Sequence, residues 1–82
     1  MLIKINSDLL FTIVLPTYNE DENIKNFINS LEKINIKKEI IAVDNNSTDN
    51  TAIEIKKTSA KYIFEKKQGY GYAIKAGLEN AS

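Results

Sequence analysis

Two polar loops carry most of the side chains that could take part in chemistry. Tyr18 and Glu20 stand in the first loop, and Asp44 and Asp49 stand in the second. An aromatic ring can stack on a nucleobase, and a carboxylate can accept a hydrogen bond from a base N–H or a ribose hydroxyl. These residue types therefore favour a nucleotide as ligand. Turn formation and helix capping account for the second loop, residues 44–51, equally well.

A third loop, residues 66–71, reads Lys-Lys-Gln-Gly-Tyr-Gly and adds two ammonium groups and two glycines. Lysine acts as a point charge for a diphosphate, and glycine lets the backbone approach a ligand closely. The stretch matches neither the Rossmann nor the P-loop glycine pattern, so it is not a phosphate-binding signature by itself. A solvated pair is the alternative interpretation of Lys66 and Lys67.

The composition excludes several classes of site. The chain has 82 residues with no cysteine and no histidine, which removes disulfides, thiolate metal sites and imidazole general bases. Any bound metal must have oxygen ligands, which favours magnesium or manganese. Eleven basic residues, all of them lysine, balance eleven acidic residues. Since neither sign forms a long run, nothing predicts nucleic-acid binding.

The length and the hydropathy pattern indicate one small domain, or a piece of one. A chain of this size buries roughly 60% of its surface, so its stability is expected to be marginal. No stretch approaches the roughly 20 apolar residues of a membrane span, and residues 1–10 lack the apolar core of a signal peptide. We therefore expect a cytoplasmic location.

The first loop lies between a predicted strand and a predicted helix. An apolar, β-branched run over residues 10–15 predicts a strand buried on both faces, and Pro16 should end it because proline cannot donate to a ladder. Asn19 is a good N-cap for a helix that fades near Asn35, and Glu22 completes a capping box. The apolar stripe of that helix comprises Ile24, Phe27, Ile28, Leu31 and Ile34.

The other loops are placed by the same kind of argument. Residues 38–43 predict a second strand, which leads into loop 44–51 and then into a helix that ends near Ser59. Residues 62–64 predict a short third strand, and residues 70–80 predict a last helix. The cap of the middle helix is expected at Ser47, Thr48 or Asp49. The last helix presents small residues for close packing, namely Ala73, Ala76 and Gly77.

The order β-α-β-α-β-α implies a parallel sheet with right-handed crossovers. The strand order should be 3-2-1, with the first two helices on one face and the last helix on the other. Residues 1–9 are either a frayed lead-in or a short extra strand. The first strand of the parallel set would then form an apolar sheet edge, and a fourth strand beside it is expected beyond Ser82. The chain is therefore expected to be the front half of a larger domain.

Three stretches of this sequence resemble a known family. Residues 12–20, Thr-Ile-Val-Leu-Pro-Thr-Tyr-Asn-Glu, resemble the opening strand and loop of the family 2 inverting glycosyltransferases, which have a GT-A fold. Residues 41–51 resemble that family's second motif, an aspartate-led loop that ends in Ser-x-Asp-x-Thr. Residues 68–78 resemble its third motif, a glycine-spaced segment before the metal-binding strand. The resemblance covers residues 12–82 and looks closest to the dolichyl- or polyprenyl-phosphate sugar transferases.

The resemblance implies a three-layer, Rossmann-like nucleotide-binding half of a GT-A domain. Asp44 would contact the base or ribose, and Asn45 stands where many relatives have a second aspartate. Ser47 and Asp49 are expected to hold their loop and to cap its helix. The residues implied to lie at the nucleotide are Pro16, Tyr18, Glu20, Asp44, Lys67 and Gly69.

The resemblance also implies a reaction. A sugar would pass with inversion from a nucleotide diphosphate to an acceptor, and a polyprenyl phosphate at the cytoplasmic membrane face is one candidate acceptor. A divalent cation, magnesium or manganese, is implied for the full-length enzyme. Its Asp-x-Asp ligands and the catalytic base are expected beyond Ser82, so residues 1–82 alone should transfer little or no sugar.

Two other interpretations of the sequence stay open. A non-catalytic α/β module that binds a nucleotide or a partner would have the same order of elements. A nucleotidyltransferase-like domain is a third interpretation, although the glycine-rich phosphate loop expected after its first strand is missing.

Overall fold

The computed structural model describes all 82 residues, which form four strands and three helices. Every predicted strand and helix is present, and one further strand precedes them. In chain order the elements are β1 (Leu2–Ile5), β2 (Phe11–Thr17), α1 (Ile24–Glu32), β3 (Lys38–Asp44), α2 (Thr51–Lys56), β4 (Lys61–Phe64) and α3 (Tyr70–Glu79).

The strands form one sheet in the order β1-β2-β3-β4. Strands β2, β3 and β4 are parallel neighbours, as the helical crossovers predict. Strand β1 pairs antiparallel with β2, with Leu2 opposite Val14 and Ile5 opposite Phe11. The expectations of a wholly parallel sheet and of β2 as a sheet edge are therefore wrong, because β1 covers that edge.

A turn at Asn6 makes this pairing possible. The Oδ1 atom of Asn6 accepts hydrogen bonds from the backbone amides of Asp8, at 2.9 Å, and Leu10, at 3.0 Å. Leu9 completes the reversal with a φ of 61°. Asparagine side chains favour such turns because they bond to backbone two residues further on. Residues 1–9, for which the sequence left two interpretations open, therefore contain an edge strand.

Helices cover both faces of the sheet and make a three-layer α/β fold. Helices α1 and α2 share one face and α3 packs on the other, as predicted. The core of the first face comprises Ile13, Leu15, Ile24, Ile28, Ile40, Ala42 and Ile55. The core of the second face comprises Val14, Ile41, Val43, Ala73 and Ala76. Successive residues of β2 and β3 enter opposite cores, which explains why these strands are apolar without alternation.

Both helices that follow the polar loops begin later than the sequence predicts. Helix α1 begins at Ile24 after Asn23, and neither Asn23 nor the predicted cap Asn19 caps it with a side-chain hydrogen bond. Helix α2 begins at Thr51 after Asn50 and ends at Lys56, short of Ser59. The predicted N-cap positions are wrong. The side chains of Asn19, Ser47 and Thr48 take part in hydrogen bonds between the two loops, and of the predicted caps only Asp49 bonds to the start of its helix, through the amide of Thr51. In α1 only Ile24 and Ile28 of the predicted stripe are buried, while Phe27 and Ile34 are exposed.

Strand β2 continues through Pro16 to Thr17, two residues beyond the predicted end at Leu15. The carbonyl of Thr17 accepts a hydrogen bond from the amide of Asn45, on the β3 side. Successive residues of a strand bond to opposite sides, so the nitrogen of Pro16 faces the β1 side. There β1 pairs no further than Leu2 opposite Val14, and no ladder bond is lost. No helix of the protein is both long and apolar enough to cross a bilayer.

Candidate functional site

The loops that follow β2 and β3 lie side by side at the carboxyl edge of the parallel strands, where open α/β sheets bind ligands. Hydrogen bonds join the two loops along their length. The amide of Asn19 donates to Ser47 Oγ at 3.0 Å, and the amide of Glu20 donates to Thr51 Oγ1 at 2.9 Å. The main chain of the first loop is therefore held by side chains of the second, while the side chains of Tyr18 and Glu20 are exposed to solvent.

Asn19 makes the reciprocal contact. Its Oδ1 atom accepts from the backbone amide of Thr48 at 2.9 Å and from the Thr48 hydroxyl at 3.3 Å. Its φ of 52° lies in the left-handed region, which asparagine tolerates better than most residues. The residue that the sequence assigns to the cap of α1 thus ties the two loops together instead.

Asp49 holds the second loop against the start of α2. Its Oδ1 atom accepts hydrogen bonds from the amide and the hydroxyl of Thr51, the first residue of α2. Its Oδ2 atom accepts from the amide of Asp21. Burial raises the pKa of the Asp49 carboxyl, but the hydrogen bonds from Thr51 and Asp21 outweigh it and lower the pKa overall. Ser47 and Asp49 thus hold the loop, as expected, although neither is the N-cap residue.

Asp44 ends β3 beneath this surface and is 4% exposed. Its Oδ1 atom accepts from the amide of Ser47 at 2.9 Å, and its Oδ2 atom accepts from the hydroxyl of Tyr62 at 2.9 Å. Burial of Tyr62, together with its hydrogen bond to Asp44 and the charge of Asp44, raises the pKa of the tyrosine to about 12. Asp44 therefore fixes the start of its loop from inside the protein.

The raised pKa of Tyr62 predicts a loss of stability at high pH. The unfolded tyrosine titrates near its ordinary pKa of 10, so the stabilisation from the protonated hydroxyl is complete below pH 10 and is lost as the pH rises from 10 towards 12. We expect the free energy of unfolding, measured with urea, to fall more steeply over this interval in the wild type than in Tyr62→Phe. Equal slopes for the two proteins would contradict this assignment.

The smaller of two clefts at this edge, about 270 Å³, lies between the first loop and the start of α3. Tyr18 is 49% exposed and stands on one side, and Gly69 and Tyr70 stand on the other. Asn45 and Gln68 complete the lining. Of the predicted site residues, this cleft brings together Tyr18 and Gly69, which lie far apart in the sequence.

The larger cleft, about 340 Å³, lies beside Pro16 and Glu20, between β2, the start of β1 and α1. Its apolar part includes Leu15 and Phe27, and its polar part includes Glu20 and Asn23. The first loop therefore contributes to both clefts, with Tyr18 in one and Glu20 in the other.

Two of the predicted site residues line neither cleft. Asp44 lies below the loops, and the ammonium group of Lys67 stands 5.5 Å from the centroid of the Tyr72 ring. Sequence reasoning also missed the contribution of Tyr70 and Gln68 to the smaller cleft. The only sequence signal for them is their position beside Gly69 in the third loop.

The acidic residues are too dispersed to form a metal centre. No group of three or more Asp or Glu side chains lies close enough together to hold a metal ion, and the chain has no His or Cys. Residues 1–82 by themselves therefore do not fit the divalent cation that the family resemblance implies.

The chain matches the family described as Glycosyl transferase family 2 over residues 12–82. It is 39% identical over 67 residues to an uncharacterised glycosyltransferase of Mycobacterium tuberculosis, which covers 82% of this chain and 29% of that protein. It is 32% identical over 80 residues to a dolichol-phosphate mannosyltransferase of Pyrococcus furiosus, which covers 87% of this chain and 22% of that protein. No solved structure matches the chain.

A shorter match of 45 residues, at 44% identity, relates the chain to a UDP-N-acetylglucosamine–dolichyl-phosphate N-acetylglucosaminyltransferase of Methanococcus voltae. It covers 55% of this chain and 18% of that protein. The chain thus spans less than a third of the length of each of these relatives. The family match takes in β2 to α3 and all three polar loops. On this match the chain belongs to glycosyl transferase family 2.

Proposed function

We propose that this protein supplies the donor-nucleotide site of a glycosyltransferase, which takes a sugar from a nucleotide diphosphate and transfers it with inversion. Membership of family 2 supports the reaction class. The observation that carries the proposal is the meeting of three loops at one sheet edge, where Tyr18 and Gly69 share a cleft next to that of Pro16 and Glu20. An aromatic ring, a carboxylate and a glycine backbone together suit a nucleotide.

Pro16, Tyr18 and Glu20 of the first loop and Asp44 of the second have roles in this proposal. The Tyr18 ring is half exposed and would stack on the base. The Glu20 carboxylate would accept a hydrogen bond from a base N–H or a ribose hydroxyl, and Pro16 would supply apolar contact beside it. Asp44 would contact the base or ribose from below, using the acceptor capacity that Ser47 and Tyr62 leave.

The third loop would face the diphosphate. Gly69 has a φ of 142° and is the N-cap residue of α3, and it lines the smaller cleft together with Tyr70, the first residue of that helix. Anions are favoured at helix N-termini because unpaired amides and the helix dipole both attract negative charge. The exposed Lys67 side chain would leave the Tyr72 ring and add a point charge.

The names of two relatives extend the proposal to the acceptor. They describe transfer of mannose or N-acetylglucosamine to dolichol phosphate or dolichyl phosphate. By analogy the acceptor here would be a lipid phosphate, which would bring the enzyme to the cytoplasmic face of a membrane.

The proposed function is tested by calorimetric titration of the protein with UDP and GDP. We expect Tyr18→Ala to weaken binding of the preferred nucleotide ~5- to 150-fold, because stacking on an aromatic ring contributes about 1–3 kcal/mol per base. Phe64→Ala is the matched control, because Phe64 is similarly exposed, at 53%, and lines neither cleft.

Two results would contradict this proposal. If wild-type protein binds neither UDP nor GDP, the nucleotide site is wrong. If Tyr18→Ala and Phe64→Ala bind with equal affinity, the base does not stack where we place it.

A further inference from the structure

Asn45, the first residue after β3, uses its side chain in a way that the proposed function does not explain. The residue is 6% exposed. Its Nδ2 group donates to the carbonyl of Glu65 at 3.1 Å and to the carbonyl of Lys67 at 2.8 Å. Its Oδ1 atom accepts from the amide of Gly69 at 2.9 Å. All these partners are main-chain groups of the segment between β4 and α3, which we call the 65–69 segment.

Little else that is buried fixes the 65–69 segment. Its first amide, that of Glu65, bonds to the carbonyl of Asp44 and extends the sheet by one step. The remaining contacts to the second loop are exposed ones, from Gln68 Nε2 to the Asn46 carbonyl at 3.2 Å and from Asn46 Nδ2 to the Lys66 carbonyl at 3.4 Å. Within the segment, the amide of Lys67 donates to Glu65 Oε2 at 2.9 Å in another exposed contact. The least exposed hydrogen bonds to residues 67–69 are therefore those of the Asn45 amide.

Only a primary amide satisfies this arrangement. An amide offers two N–H donors and a carbonyl acceptor, which the two carbonyls and one amide of the segment require. A carboxylate of the same shape could accept from Gly69, but it would place negative charge against two carbonyl oxygens. A buried acceptor that meets acceptors carries the cost of unsatisfied polar groups.

We propose that Asn45 is a positioning residue for the nucleotide site: its amide holds the 65–69 segment so that Gly69 and the start of α3 face the smaller cleft. This inference rests on the proposed function for its effect on binding. Its effect on the placement of the 65–69 segment does not depend on nucleotide binding and follows from the hydrogen bonds of Asn45 to Glu65, Lys67 and Gly69.

The test compares Asn45→Asp with Asn46→Asp, which adds the same charge at an exposed neighbouring position and removes only the long, exposed bond of 3.4 Å to the Lys66 carbonyl. Without nucleotide, we expect hydrogen exchange at the Gly69 amide at pH 8, followed by NMR, to be at least tenfold faster in Asn45→Asp than in Asn46→Asp. Calorimetry at the same pH should show UDP or GDP affinity at least tenfold lower in Asn45→Asp than in Asn46→Asp.

Lowering the pH supplies the readout that a merely structural residue would not give. A protonated carboxyl can donate to Lys67 while it accepts from Gly69, so nucleotide affinity of Asn45→Asp should recover as the pH falls. Both variants contain the same nearby groups that titrate or carry charge, namely Asp44, Tyr62, Glu65, Lys66 and Lys67. The recovery is therefore measured as the ratio of the nucleotide affinity of Asn45→Asp to that of Asn46→Asp at each pH, because titration of these groups and of the nucleotide affects both variants. Asn45→Ala should lose affinity without recovering it.

The outcomes separate this inference from the proposed function. Unchanged exchange at Gly69 in Asn45→Asp would overturn the positioning role, whatever the nucleotide does. Faster exchange with unchanged affinity would show that the segment does not serve binding, and would also overturn it. If the wild type binds neither nucleotide, the proposed function is refuted, and the binding role of Asn45 with it. Faster exchange at Gly69 in Asn45→Asp would then still show that Asn45 holds the 65–69 segment.

Discussion

Replacing Asp44 with asparagine is expected to weaken nucleoside-diphosphate binding by about tenfold to a hundredfold while the fold is kept. A hydrogen bond to a charged group contributes about 1.5–3 kcal/mol, which corresponds to this range of affinity. Asparagine has the same shape as Asp44, and its oxygen can still accept from the amide of Ser47. Its amide group can donate to the Tyr62 hydroxyl in place of the bond that Tyr62 now donates.

Asp44→Ala is expected to combine that loss with a loss of stability. It leaves the amide of Ser47 and the hydroxyl of Tyr62 without their acceptor at a position that is 4% exposed. Unsatisfied buried donors cost about 1–3 kcal/mol. Calorimetry with UDP and GDP measures the first effect, and urea unfolding measures the second.

The pair of variants distinguishes contact with the nucleotide from support of the loop. Wild-type affinity in Asp44→Asn together with weak binding in Asp44→Ala would mean that Asp44 only shapes the loop. Tyr62→Phe is the control, since it removes one partner of the carboxylate and leaves the charge in place. Wild-type affinity in all three variants would remove Asp44 from the site altogether.

The second large effect is expected at Gly77, where α3 packs on β2. A Cβ atom built on Gly77 would lie 2.3 Å from Val14 Cγ1 and 3.2 Å from Val14 Cγ2. Val14 is fully buried, so neither the side chain nor the helix can move without disturbing the core of that face. We expect Gly77→Ala to lower the free energy of unfolding by about 1–3 kcal/mol, the usual cost of overpacking, as measured by urea denaturation.

Gly71 in the same helix provides the matched control. A Cβ atom on Gly71 meets nothing within 4 Å, so Gly71→Ala should be neutral or stabilise by up to about 1 kcal/mol through helix propensity. In a Val14→Ala background the clash at Gly77 is relieved, so Gly77→Ala should cost less there than in the wild type. Equal costs in the two backgrounds would show that the contact with Val14 is not the cause.

The hydropathy pattern along the chain was enough to predict the order of strands and helices that positions the candidate site. The hydropathy pattern predicted three strands, now β2, β3 and β4, with helices between them. It therefore predicted their parallel order and the correct side of the sheet for each helix. Because parallel strands end at one edge, the three loops that carry Tyr18, Asp44 and Gly69 had to meet there. The small residues of α3 likewise predicted a close approach to the sheet, which Gly77 makes.

What the sequence could not decide was where short polar side chains would bond. Asn19 has the propensity of a cap, yet its Oδ1 atom bonds to Thr48 of the neighbouring loop. Asn45 looked like one polar residue among eight in residues 44–51, and only the approach of the 65–69 segment gives its amide three partners. Cap propensity is a local energy of about 1 kcal/mol, and a single tertiary hydrogen bond at a loop can outweigh it.

The pairing of β1 was open for the same reason. Residues 2–5 can be a strand or a lead-in by composition, and the choice depends on the Asn6 turn that delivers them to the free edge of β2. The sequence by itself thus determined the family, the parallel strands and the edge at which the candidate site lies. The tertiary structure alone decided how the loops are held there, because those hydrogen bonds join residues that only the completed sheet brings together.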